Sequence, residues 1–135
     1  MVNLVLKIIS KSLNKIHSNK FFTKNIFLSI ALENLIALIR KKDVRFSFDK
    51  KKNLIKAHEK GLIRYYGSPL RCFWLYRNGI RSRGEFIHKS YCIQKLNFSK
   101  EDVVIDCGAN SGDLFIELQD HIKSINYIGI EPNPT

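Results

Sequence analysis

Two short stretches constrain this chain more than anything else in its sequence. Residues 103–112 read V-V-I-D-C-G-A-N-S-G, and residues 127–132 read Y-I-G-I-E-P. Val103, Val104 and Ile105 form a β-branched apolar run, which suits a strand covered on both faces, as parallel strands with crossover helices are. Asp106 then stands at its carboxyl end. Gly108 and Gly112 permit a tight turn and a close approach of a ligand to the main chain.

The turn leads into a helix. Ser111 or Asn110 is placed to cap it, Asp113 falls in its first turn, and Leu114, Phe115, Leu118 and Ile122 recur at near-helical spacing. A return strand over 125–130 ends in Glu131, about 25 residues beyond Asp106, near the interval at which doubly wound folds set an acid against ribose hydroxyls. Pro132 and Pro134 end that strand. The fold class expected is α/β, with a right-handed strand-helix-strand crossover.

Glycine spacing bears on the ligand. A dinucleotide fingerprint reads G-x-G-x-x-G, whereas here the pattern is G-x-x-x-G with Asn110 in the middle position. Asp106 just ahead of the loop repels a pyrophosphate but attracts the ammonium of an aminoacyl group. This favours S-adenosylmethionine over a nicotinamide dinucleotide.

The run Asp106-Cys107-Gly108-Ala109-Asn110-Ser111-Gly112-Asp113, followed by Tyr127-Ile128-Gly129-Ile130-Glu131-Pro132-Asn133-Pro134, resembles the FkbM-type S-adenosylmethionine-dependent methyltransferases. Their cofactor loop is typically D-x-G-A-N-x-G, and their second strand ends E-P-x-P. Residues 73–80, F-W-L-Y-R-N-G-I, and Tyr91 are similar to the region ahead of that loop. The resemblance implies a Rossmann-like class I sheet, beginning with its first strand-helix-strand unit. It implies that Asp106 contacts the methionine end of the cofactor, that Gly108 and Gly112 shape the loop, that Asn110 hydrogen-bonds beside it, and that Glu131 holds the ribose. None of these is a catalytic group, and the resemblance supplies no catalytic residue. The reaction implied is O-methylation of a hydroxyl on a sugar, glycan or natural product. Because family members continue well beyond the second strand, the expectation is a truncated enzyme, inactive alone, with a separately encoded C-terminal half as one partner.

Charge is distributed unevenly. The 135 residues carry a formal net charge of +11, yet residues 99–135 hold two lysines against seven acids, a net −5, leaving +16 upstream. Arg40-Lys41-Lys42 and Lys50-Lys51-Lys52 are the densest runs. A basic surface attracts phosphates on lipid or nucleic acid alike; a solvated face is the simpler account. Nucleic acid is disfavoured, since no recognised binding module accompanies the charge. The sequence thus divides into a basic helical region over 1–42, a mixed α/β extension over 43–98, and the start of the cofactor domain over 99–135.

Residues 25–39, N-I-F-L-S-I-A-L-E-N-L-I-A-L-I, read as a core helix, or alternatively as an in-plane helix on an anionic membrane. The stretch is too short, and too interrupted by Glu33 and Asn34, to span a bilayer. The N-terminal residues do not read as an export signal, so the expected location is the cytoplasm, with peripheral membrane contact as the alternative. Val44, Phe46 and Phe48 alternate as in a strand, residues 53–60 read as a brief helix closed by Gly61, and residues 62–66 and 72–77 read as strands. Residues 84–96 read as a helix.

Phe73, Trp74 and Tyr76, beside Arg71 and Arg77, resemble a base-stacking platform, but alternation on a strand with core packing explains them more simply. His17, His58, His88 and His121 are scattered without the paired spacing of a metal helix, so no metal site is predicted. Cys72, Cys92 and Cys107 fit a reducing compartment, and Cys107 reads as a small packed side chain. Against the methyltransferase stands a second class: a non-catalytic remnant, or a basic module that binds membrane or nucleic acid while the loop survives as fold.

Overall fold

A computed structural model describes residues 25–122 and 124–132. It is α/β, with a three-stranded antiparallel sheet and a separate parallel pair of strands. The chain divides into two compact units between Ile80 and Arg81. Expectations concerning residues 1–24, including His17, lie outside the described residues, as does Pro134.

In the first unit, the first element among the described residues is helix α1, Ile26–Ile39. Asn25 caps it as an extended residue whose Oδ1 accepts from Leu28 N–H at 3.1 Å. Ser29, Ile30, Glu33, Ile36 and Ala37 form its buried stripe at helical spacing, while Phe27, Leu35 and Leu38 are exposed. No helix among the described residues is long and apolar enough to cross a membrane. Strands β1 (Arg45–Asp49), β2 (Leu54–Glu59) and β3 (Leu62–Tyr66) follow as an antiparallel meander in sequence order.

Residues 53–60 are therefore not a helix. Ile55 and Ala57 are buried on one face of β2, where Ile55 stands opposite Phe48 and Tyr66, and Ala57 opposite Phe46 and Arg64. Those pairings outweigh the helix preference of Ala57, Lys56 and Glu59. Lys60 (φ 46°) and Gly61 (φ 87°) form the two-residue hairpin turn, left-handed at both positions, that matches strand twist. Lys50, Lys51 and Lys52 lie on the exposed loop between β1 and β2, where Asp49 Oδ1 accepts from Lys51 N–H and Lys52 N–H and Lys52 Nζ stands 3.7 Å over the Tyr65 ring.

Residues 72–77 are not a strand either. Ser68 and Pro69 start helix α2, Pro69–Tyr76, with Ser68 Oγ accepting from Arg71 N–H and proline at the first helical position. Cys72, Phe73 and Tyr76 are fully buried, at the spacing of one helix face, whereas Trp74 is 72% exposed. Core packing holds for Phe73 and Tyr76, which rules them out as stacking surfaces, but fails for Trp74. Phe73 meets Phe46 edge to face with centroids 5.1 Å apart.

Two polar contacts tie α1 to the rest of this unit. Glu33, with no exposed surface, lies 2.6 Å from Arg77 Nη2, just past the end of α2. Asn34 reaches β1, its Oδ1 accepting from Phe46 N–H at 2.7 Å and its Nδ2 donating to Phe46 C=O at 2.9 Å.

Helix α3, Ile80–Ser90, belongs to the second unit from Arg81 onward, and a 3₁₀ turn follows at Ile93–Lys95. The single helix expected over 84–96 thus starts earlier and stops sooner, because Cys92 adopts a left-handed φ of 52° that breaks it. Strand β4 (Val103–Cys107), helix α4 (Asp113–His121) and strand β5 (Asn126–Ile130) come next. The two strands pair in parallel, with Ile105 opposite Ile128 and Cys107 opposite Ile130.

β4 is not covered on both faces. Val103, Ile105, Ile128 and Ile130 are each more than half exposed, since no described element packs on that side of the pair. Cys107, expected as a packed side chain, lies on this face and is exposed for the same reason.

Candidate functional site

Asp106 and Glu131 stand at the carboxyl ends of two adjacent parallel strands, Asp106 within β4 and Glu131 directly after β5. The loop between β4 and α4 closes the distance between them. Gly108 N–H and Ala109 N–H both donate to Ile130 C=O, at 2.8 and 3.1 Å, and Asn110 N–H donates to Glu131 Oε2 at 2.7 Å. Glu131 thus holds the loop against the end of β5.

Backbone conformation explains the residue choice. Gly108 (φ 89°), Asn110 (φ 54°) and Gly112 (φ 73°) are all left-handed, a region glycine enters freely and asparagine more readily than most residues. Gly112 occupies the N-cap position of α4 with no side-chain cap. The expectation that Ser111 or Asn110 caps the helix is therefore corrected: the chain needs a left-handed residue at the junction, and glycine takes it. Asp113 is buried in the first helical turn, where a negative charge complements the helix dipole. Arg83 Nε lies 3.6 Å from its Oδ2.

The Asp106 carboxylate is engaged. Tyr127 O–H donates to Asp106 Oδ2 at 2.5 Å, and Tyr127 also stacks at a tilt on Phe115 of α4, with centroids 4.9 Å apart. The Tyr127 phenol is pushed above its ordinary pKa of 10.0, first by burial, then by the hydrogen bond to Asp106 and the nearby negative charges. The neutral phenol is favoured in the folded state, so its contribution to stability is complete below pH 10.0 and is lost as pH climbs past that value. In an alkaline titration followed by tyrosinate absorption, Tyr127→Phe is expected to remove a component that ionises above pH 10.0 in the parent. Asp106→Asn should bring it only part of the way back, because burial is the larger cause.

Two hollows flank Asp106. A small one of about 70 Å³ is bordered by Arg83, Tyr91, Asp106, Asn110 and Asp113, among others. It is large enough to hold water. A larger groove of about 380 Å³, lined by Leu96, Phe98, Val104, Asp106, Cys107 and Leu114 among others, falls within the size range of small-molecule sites.

Comparison with protein-family models, with curated proteins and with solved structures finds no match to this chain. The site therefore stands on its own geometry. That geometry brings together all five residues singled out in the sequence: Asp106 near the end of β4, Gly108, Asn110 and Gly112 on the loop that follows, and Glu131 bonded to the centre of that loop.

It also assembles a group that the sequence reading missed. His88 and His121, expected to be scattered, both approach Glu117 Oε1, His88 Nδ1 at 3.3 Å and His121 Nε2 at 3.1 Å. A signal was present, since Glu117 and His121 are four residues apart on α4 and share a helix face. Nothing in the sequence showed that α3 brings His88 to the same carboxylate.

Proposed function

We propose that this chain binds S-adenosylmethionine through the Asp106–Gly112 loop and Glu131, as the cofactor unit of an FkbM-type O-methyltransferase acting on a sugar, glycan or natural-product hydroxyl. The observation that carries the reading is the pair of carboxylates at one end of two parallel strands, joined by a loop with three left-handed residues. In open α/β sheets, ligands bind in the crevice beyond the carboxyl ends of the strands. Asp106 would receive the ammonium of the methionine moiety, beside the hydrogen bond from Tyr127, and Glu131 would receive the ribose hydroxyls. With Asp106 negative and Asn110 in place of a middle glycine, a pyrophosphate fits poorly.

The cofactor supplies an electrophilic methyl on a sulfonium. Asp106, Asn110 and Glu131 would hold and orient it so that its methyl is presented to an acceptor hydroxyl, a contribution that is mainly one of positioning. Calorimetric titration of the chain with S-adenosylmethionine tests the reading. Saturable binding is expected, weakened at least about tenfold, or about 1.4 kcal/mol, in Asp106→Ala and in Glu131→Ala, with no heat from a nicotinamide dinucleotide. No binding by the folded chain, or equal binding by both variants, overturns it.

A further inference from the structure

We infer that His88, Glu117 and His121 form a binding site for a divalent zinc-type cation, separate from the loop that opens at Asp106. Glu117 lies at the middle of α4 and His121 is its last residue. At 1.5 Å rise per residue, His121 is about 12 Å along the helix from Asp113.

Donor geometry comes first. A tetrahedral zinc ion with bonds of about 2.0–2.1 Å requires its ligand atoms to stand about 3.3 Å from one another. Glu117 Oε1 lies 3.1 Å from His121 Nε2 and 3.3 Å from His88 Nδ1. All three donors fall within 4.8 Å of one another, and the two rings are tilted at 47° with centroids 4.5 Å apart. Two of the three ligand-to-ligand edges are thus already at coordination length; the third closes by rotation of the half-exposed His121 ring.

His88 supplies the second observation. Its Nδ1 is buried and makes no hydrogen bond to any described group, although it sits 3.3 Å from a carboxylate oxygen. A buried ring nitrogen ordinarily finds a partner. A cation between Nδ1 and Oε1, which His121 Nε2 already meets at 3.1 Å, gives the ring nitrogen its partner at the separation the two atoms already have. It also neutralises the charge of a carboxylate that is 9% exposed.

Gly84 supplies the third. It lies one turn before His88 on α3, in the interior of a helix where glycine is less favourable than alanine. A Cβ at Gly84 would occupy the position of Glu117 Oε2. The missing side chain thus leaves room for the carboxylate that both imidazoles face.

Two imidazoles and one carboxylate suit zinc and its transition-metal neighbours, whereas calcium and magnesium prefer all-oxygen sets. Three protein ligands leave a fourth position. His88 and His121 border a groove of about 600 Å³ with Gln94, Asn97, Ser99 and Lys100 among its walls, so water or a small anion can reach that position.

The test is a competition titration of the metal-free chain with Zn²⁺ alone, followed by Co²⁺ to read coordination from visible absorption. One Zn²⁺ per chain is expected, with the intense d–d bands of tetrahedral Co²⁺ and no thiolate charge-transfer band. Affinity should fall at least tenfold in His88→Ala and in Gly84→Ala. The latter keeps every ligand, favours the helix, and displaces the flexible end of Glu117. Cys92→Ser/Cys107→Ser should bind like the parent. Absence of Zn²⁺ binding, binding retained in both His88→Ala and Gly84→Ala, or binding lost in the cysteine variant overturns the inference.

Discussion

Replacing Arg77 by methionine is expected to lower the stability of the chain by about 3–5 kcal/mol in urea unfolding at neutral pH. Glu33 has no exposed surface, and Arg77, whose Nη2 lies 2.6 Å away, is 19% exposed. Forty-four residues separate the two in sequence, so the pair ties α1 to the end of α2. Methionine keeps much of the aliphatic volume of arginine and removes the charge. The buried carboxylate then loses the guanidinium 2.6 Å away, and the loss reflects a buried charge with that counter-charge removed rather than the net worth of the pair. The double variant Glu33→Leu/Arg77→Met should therefore recover most of the loss. A single variant within about 1 kcal/mol of the parent would show that the remaining surroundings of Glu33 suffice to hold it.

Phe73→Ala is expected to cost a similar amount, about 3–5 kcal/mol, through lost transfer energy and the cavity left behind. The ring is fully buried and meets Phe46 of β1 edge to face, so its removal empties the space between α2 and the sheet. Trp74, its neighbour in sequence, is 72% exposed, and Trp74→Ala should change stability by less than about 0.5 kcal/mol. The contrast between Phe73 and Tyr76 on one side and Trp74 on the other is specific to a helix. On a strand, Trp74 and Tyr76 would share a face and respond alike.

What could be read from the sequence follows the range of the interactions involved. Helix α1 was legible because Asn25 caps it locally and its apolar stripe repeats with the helical period. The 103–112 and 127–131 motifs were legible because glycine, a carboxylate and β-branched residues carry their geometry within a few positions. Residues 53–60 were misread because nothing local separates a short helix from a strand there; the decision lies in Phe48 and Tyr66 on either side of Ile55. Residues 72–77 were misread although Ser68-Pro69 is a helix start signal, since alternating aromatics imitate a strand. At the candidate site, the loop residues were identifiable one by one. The bonds from Tyr127 to Asp106 and from Asn110 to Glu131 were not, because each joins positions 21 residues apart. The approach of His88 to Glu117 depends on how two helices meet, which no local pattern encodes.

The amide of Asn34 has a consequence for solubility. By accepting from Phe46 N–H and donating to Phe46 C=O, it offers β1 the same two bonds that a further strand would offer. A foreign strand arriving at that edge must first evict a side chain held by its own helix, and gains no bond at this residue that was not already made. Unpaired strand edges are where chains recruit one another into growing aggregates. Among the described residues no strand pairs with that edge of β1, and at Phe46 a single side chain makes the bonds that a neighbouring strand would make.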